Sequence, residues 1–134
     1  MTADGRAFGI GRYGLLPAPL ALPDFLSGVK AALDAPGLRY GGEDRLVQRV
    51  ALCGGAGGAY LERAAALGCD AYVTADVKHD RFLTARELGI ALVDAGHFST
   101  EQVVLPVLQR LLKEGFPGIE AAISKASVSP AGFF

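Results

Sequence analysis

Val47-Gln48-Arg49-Val50-Ala51-Leu52-Cys53-Gly54-Gly55-Ala56-Gly57-Gly58 is the stretch that decides the fold. It alternates polar and apolar residues, turns fully apolar, and breaks into a glycine-rich loop, as a strand buried on both faces does where it leaves a sheet. An alanine-rich helix follows from Ala59 to Leu67 and is closed by Gly68. The same order then repeats. Ala71 to Thr74 is predicted as a strand, Arg81 to Leu88 as a helix ended by Gly89, and Ala91 to Val93 as a strand. A long helix then runs to Glu114, where Gly115 stops it.

Upstream, Phe8 to Leu15 is predicted as a short extended segment at a sheet edge ending at Pro17, and Pro23 to Leu33 as a helix with Phe25, Leu26, Val29 and Leu33 on one face. Leu38 to Tyr40 is a further short strand. Downstream, Gly118 to Ser124 is predicted as a last strand and Ser127 to Phe134 as a tail containing Pro130. Strands alternating with helices predict an α/β domain, a sheet flanked by helices with right-handed βαβ crossovers. Functional groups in such folds gather at the carboxyl ends of the strands.

With 134 residues, half of them apolar, the chain is expected to be a single domain over residues 1–134 with a real core. A net charge of -1 and a pI near 6.1 leave no basic stripe for gripping phosphates, so no nucleic-acid partner is expected. The apolar runs are too short to span a membrane, and Met1-Thr2-Ala3-Asp4-Gly5 lacks the basic start of a signal peptide, so no membrane association and a cytoplasmic location are expected. Cys53 and Cys69 show no metal-binding spacing and read as reduced packing residues.

Chemistry concentrates in Asp94-Ala95-Gly96-His97-Phe98-Ser99-Thr100-Glu101, where a strand hands over to a helix. Residues i and i+4 of a helix lie one above the other, so His97 and Glu101 converge on one cation if helical geometry reaches back to the histidine. Ser99 or Thr100 is expected to cap the first turn, with Glu101 near the positive end of the helix dipole. A helix start with a surface histidine explains the same residues, and two ligands alone do not make a site. Asp76, Asp80 and Asp94 are the nearest further carboxylates. The loop Thr74 to Asp80 places Asp76 and His79 as candidates for general acid/base work, or as parts of a solvated helix cap. Gly54, Gly55, Gly57 and Gly58 form either a phosphate-binding loop or a close-approach turn. The loop lacks the Lys-Ser/Thr of a Walker A motif, and Tyr60 stands where a dinucleotide fingerprint needs its third glycine. A Rossmann-like nucleotide binder therefore ranks third among the functional readings.

Gly9-Ile10-Gly11-Arg12-Tyr13-Gly14-Leu15-Leu16-Pro17, Val50 to Gly58, Val73-Thr74-Ala75-Asp76-Val77-Lys78 and Asp94 to Glu101, in that order, resemble the C-terminal half of the Nif-three-like dinuclear metal-centre proteins, also called GTP cyclohydrolase I type 2 homologues. The resemblance covers nearly the whole chain and extends to Ser129-Pro130-Ala131-Gly132-Phe133. It implies two metal ions between two similar α/β halves, with His97 and Glu101 as the ligands from this half. The other ligands, a His-His pair and an aspartate, would come from an N-terminal half that is absent here. It also implies metal-dependent hydrolysis of a nucleotide-like substrate, with water polarised between two ions, and toroidal homo-oligomers. Zn, Mn, Fe, Ni and Co all suit such ligands.

This chain has no His-His pair, carries Ala75 where the family usually has glycine, and has His79-Asp80 where the family has an aromatic residue or histidine followed by histidine. The expected partner is therefore the missing N-terminal half or a separate chain carrying a His-His motif. Loss of the chemistry, leaving an interaction or assembly module, is the rival reading.

Overall fold

The computed structural model describes residues 9–132; Met1 to Gly5, Phe8 and the closing Phe133-Phe134 lie outside them. The elements run β1 (Arg12–Ala21), α1 (Leu22–Ala32), β2 (Arg39–Gly41), β3 (Leu46–Leu52), a 3-10 turn (Gly58–Tyr60) leading into α2 (Leu61–Ala66), β4 (Ala71–Thr74), α3 (His79–Leu88), β5 (Ala91–Asp94), α4 (His97–Gln102) and α5 (Leu105–Gly115). They form one five-stranded sheet in the order β1-β3-β4-β5-β2. β3, β4 and β5 are parallel, and the two outer strands are antiparallel to their neighbours.

Parallel neighbours need a crossover, and α2 and α3 provide the two that join β3 to β4 and β4 to β5. Every residue of β4 and β5 is buried, in keeping with runs that are apolar up to the closing Thr74 and Asp94. Alternate side chains feed two cores. Ala71, Val73, Ala91 and Val93 pack with Leu22, Phe25 and Leu26 of α1, while Tyr72 and Leu92 pack with Leu61, Ala64 and Ala85 of α2 and α3.

β3 breaks this alternation, since Val47 joins the first core and Ala51 the second. The slip falls at Gln48 and Arg49, whose consecutive N–H groups both donate to Asp70 Oδ2, at 3.0 and 2.7 Å. Opposite it the register of β1 shifts between Leu15 and Leu20, the interval that holds Pro17 and Pro19. A bulge on an outer strand needs no ladder donors at these prolines, so β1 continues to Ala21 instead of ending at Pro17.

Two further expectations are corrected. The long helix predicted to reach Glu114 is two helices parted at Val103 and Val104, and Pro106 explains the break. A proline has no N–H to bond the carbonyl four residues earlier, here Gln102, and its ring collides with that carbonyl, so α4 must end and a new helix begin with the proline near its start. Gly118 to Ser124 forms no strand. The segment instead turns back after α5, Ile119 N–H donating to Phe116 O and Gln109 Nε2 to Ala121 O. The first strand begins at Arg12, and the remaining boundaries agree within about two residues. Cys53 and Cys69 are free thiols, and no helix among the described residues is long and apolar enough to cross a membrane.

Candidate metal centre

Three chain segments meet beyond the carboxyl ends of the parallel strands: the glycine loop after β3, the loop after β4 that carries Asp76, and the turn after β5 that starts α4. Helical geometry does reach back to His97, the first residue of α4, so Glu101 lies one turn along the same face. His97 Nε2 stands 3.2 Å from Glu101 Oε1, and His97 Nδ1 stands 2.6 Å from Asp76 Oδ2. The three side chains are half-exposed, at 48, 58 and 55% for His97, Glu101 and Asp76. Asp76 adopts a left-handed backbone (φ 52°), which is rare outside glycine and is concentrated at functional positions.

An ionised carboxylate only accepts, so the hydrogen between Asp76 and His97 sits on Nδ1. In the neutral ring Nε2 then carries the lone pair and faces Glu101. In the absence of a cation that lone pair meets a carboxylate, and the ring favours its protonated form. The pKa of His97 is raised above the ordinary histidine value, chiefly by the hydrogen bond to Asp76, with the charges of Glu101 and Asp76 adding to it.

The expected cap is corrected. Gly96 precedes α4, while Ser99 and Thr100 lie inside it, and Glu101 is in its second turn, away from the positive end of the dipole. Thr100 has another task. Its Oγ1 accepts the N–H of Gly55 at 2.9 Å and faces the carbonyls of Gly96 and His97, each at 3.0 Å, tying the glycine loop to α4.

That loop is packed inward. Gly55 N–H goes to Thr100, and Gly57 N–H goes to Thr74 Oγ1 and Gly55 O, each at 2.9 Å. Thr74 Oγ1 donates to Gly55 O, and the buried Tyr72 hydroxyl donates to Gly57 O. Burial pushes the Tyr72 hydroxyl up to about 12. A Cβ at Gly55 would lie 2.6 Å from Glu101 Oε1, and one at Gly57 would lie 2.5 Å from Thr74 Oγ1. Arg81 Nε donates to the carbonyl of Gly58, and a Cβ on Gly54 would meet Thr100 O at 2.9 Å. Of the four glycines read as a phosphate cradle, Gly55 and Gly57 direct their N–H groups to partners within the protein. Close approach is required at Gly54, Gly55 and Gly57, and Gly54 and Gly55 form the bare backbone beside the Glu101 side chain.

His79 opens α3 on the surface; the partners of the His97 ring are Asp76 and Glu101. Among the described residues no group of three or more His, Cys, Asp or Glu is arranged to hold a metal ion. The geometry gives the reason, since Asp76 addresses the nitrogen that faces away from Glu101. Spacing along the chain could not reveal this contact, because 21 residues separate Asp76 from His97.

Next to the site runs an apolar groove of about 550 Å³ between α1, β1 and β3, lined by Tyr13, Leu15, Phe25, Val29, Leu33 and Val103 and reaching Gly54 and Thr100.

Residues 3–130 match the profile of the Duf34/NIF3 family (NGG1p interacting factor 3). Among curated relatives, a protein named GTP cyclohydrolase 1 type 2 homolog from Nostoc sp. is 35% identical over 109 residues, covering 79% of this chain and 40% of its own length. A protein of the same name from Mycobacterium tuberculosis is 44% identical over 99 residues, covering 69% of this chain and 26% of its own. In crystal structures, a Staphylococcus aureus hypothetical protein superposes with a TM-score of 0.88 at 31% identity, over 94% of this chain and 43% of that one. A Bacillus cereus protein related to NIF3 does so with a TM-score of 0.82 at 32% identity, over 94% and 36%. The chain thus spans less than half the length of these relatives. On the profile match and on these likenesses in sequence and fold, the chain belongs to the Duf34/NIF3 family.

Proposed function

We propose that His97 and Glu101 are the contribution of this chain to a divalent metal centre completed by another polypeptide segment, the N-terminal half of the relatives or a separate chain with a His-His motif. The observation that carries this is the 3.2 Å between Nε2 and Oε1 on a ring whose other nitrogen is tied to Asp76. Divalent ions hold imidazole nitrogen and carboxylate oxygen at about 2.0 to 2.2 Å, so two such ligands on one ion stand about 2.8 to 3.6 Å apart between octahedral and tetrahedral angles. The pair has the right bite. Asp76 supplies the carboxylate–histidine contact that sets the tautomer and orientation of metal-binding imidazoles.

Two donors hold an ion weakly, so high affinity requires the completing segment. Zn, Mn, Fe, Ni and Co suit this donor set. A bound ion would supply Lewis acidity for hydrolysis. The residues of this chain hold and orient: Glu101 presents an oxygen, His97 a lone pair, Asp76 the matching acceptor, and the glycine loop the bare backbone against which Glu101 rests. The relatives' shared name supports a nucleotide-like substrate, and on that support we assign this chain metal-dependent hydrolysis of such a substrate once the centre is complete.

The apolar groove beside the site and the exposed leucines of α5 support a second reading, an assembly module without chemistry. Metal analysis separates the two. Zinc or cobalt uptake by the chain mixed with a His-His-bearing N-terminal half, lost in His97→Ala and in Glu101→Ala, supports the metal centre. Complex formation with no uptake overturns it in favour of the assembly module.

A further inference from the structure

Asp94 closes β5 and its side chain is nine-tenths buried. Its carboxylate meets only donors. Oδ2 accepts the N–H of Val77 at 3.1 Å and Arg39 Nη1 at 3.3 Å, and Oδ1 accepts the N–H of Gly96 at 3.2 Å. Val77 is the residue after Asp76, and Gly96 is the residue before His97. One buried carboxylate therefore grips both loops immediately beside the two side chains that must meet. Arg39 closes the arrangement, donating also to Val77 O at 3.2 Å and lying over the Phe82 ring at 5.3 Å. Because Arg39 and Asp94 are register partners in the β2–β5 ladder, the grip is anchored on the sheet rather than on a loop.

We propose that Asp94, braced by Arg39, is the positioning residue that aligns Asp76 with the His97 ring and leaves Nε2 aimed at Glu101. The proposal rests on the metal-centre reading above for its purpose, though not for its geometry. A carboxylate is required because the three partners are donors distributed over both oxygens. An amide at this position would offer one accepting oxygen and would turn N–H groups toward another donor, leaving a buried group unsatisfied. Releasing Val77 also frees Asp76 from its left-handed backbone, and the 2.6 Å contact to Nδ1 goes with it.

The test uses the 134-residue chain labelled with nitrogen-15, metal-free, at a pH above the His97 titration. In the wild type the ring nitrogens of His97 should report the tautomer with hydrogen on Nδ1. Asp94→Asn should lose that preference, its two nitrogen shifts collapsing toward the averaged values of a freely exchanging imidazole, as Asp76→Asn should also show. A structural role alone would lower the melting temperature without moving the tautomer. An Asp94→Asn protein with a native amide spectrum and the wild-type tautomer overturns the proposal. If Asp94→Asn does not fold, Arg39→Met, whose side chain is largely exposed, decides: a partial loss of the tautomer preference supports the proposal and an unchanged tautomer overturns it. Cobalt titration in the presence of the completing half is read separately, with a loss of about 10- to 100-fold expected for Asp94→Asn. Absence of cobalt binding in the wild type would sink the metal centre, while the tautomer still decides the role of Asp94.

Discussion

The centre of the sheet and the last helix are opposite extremes of packing. Every residue of β4 and β5 is buried, whereas no residue of α5 is, although α5 carries Leu105, Leu108, Leu111 and Leu112. The central strands gain from both cores at once, so the fold has its stability there. The α5 leucines gain little from the described residues and contribute surface that another polypeptide can cover. The candidate site lies between these extremes, at the strand ends and half-exposed, held by hydrogen bonds rather than by hydrocarbon.

This contrast can be broken or sharpened by substitution. Leu92→Ala empties a fully buried position of β5 and should cost about 2 to 5 kcal/mol in chemical denaturation. The matched change Leu111→Ala on α5 should stay within about 0.5 kcal/mol. Equal losses would show that α5 is packed in solution and would erase the distinction. Gly57→Val drives a side chain into Thr74, Tyr72 and Cys53, with an expected loss of about 1 to 3 kcal/mol by thermal melting. A neutral result would mean that the glycine loop is not packed as described above.

At the site the effects should be large on metal and small on folding. Glu101→Ala removes an exposed carboxylate, so the melting temperature should barely move while metal uptake by the completed centre is lost. Uptake should also fall with acid. An ion needs the bare Nε2, and the raised pKa of His97 means that protons begin to compete at a higher pH than for an ordinary histidine. Asp76→Asn should shift that competition to lower pH, which a cobalt titration at several pH values would register.

For stability of the metal-free chain the sign is reversed. The ion pair of protonated His97 contributes in full below the unfolded histidine pKa of about 6.5 and is lost as pH rises through the higher folded value. Since these groups are half-exposed, this is the smallest of the effects, visible as a slight decline in melting temperature across that window.

Much of the architecture was legible because it is periodic. The parallel strands and the crossover helices follow from alternation, apolar runs and glycine stops, and the His97–Glu101 pair follows from four-residue spacing. Misreadings occurred where a single residue overrode the pattern. Pro106 splits a helix that apolar spacing alone extends, and the bulge opposite Gln48 and Arg49 lets β1 pass two prolines. Gly118 to Ser124 has strand-like composition but folds back on α5, where Gln109 bonds Ala121 O, instead of joining the sheet. The family's motifs singled out Ala75, Asp76 and Asp94 by position without giving their partners.

By itself the sequence determined what covalent geometry carries over a few residues: element type, helix faces, and the one-turn spacing of His97 and Glu101. Only the tertiary structure decided that Asp76 would meet His97 from 21 residues away, that Asp94 would hold both their loops, and that Gly54 and Gly55 would lie beside Glu101. Those contacts depend on which strands lie side by side, and strand order is settled by burial of the whole sheet, a quantity that no local window of residues contains.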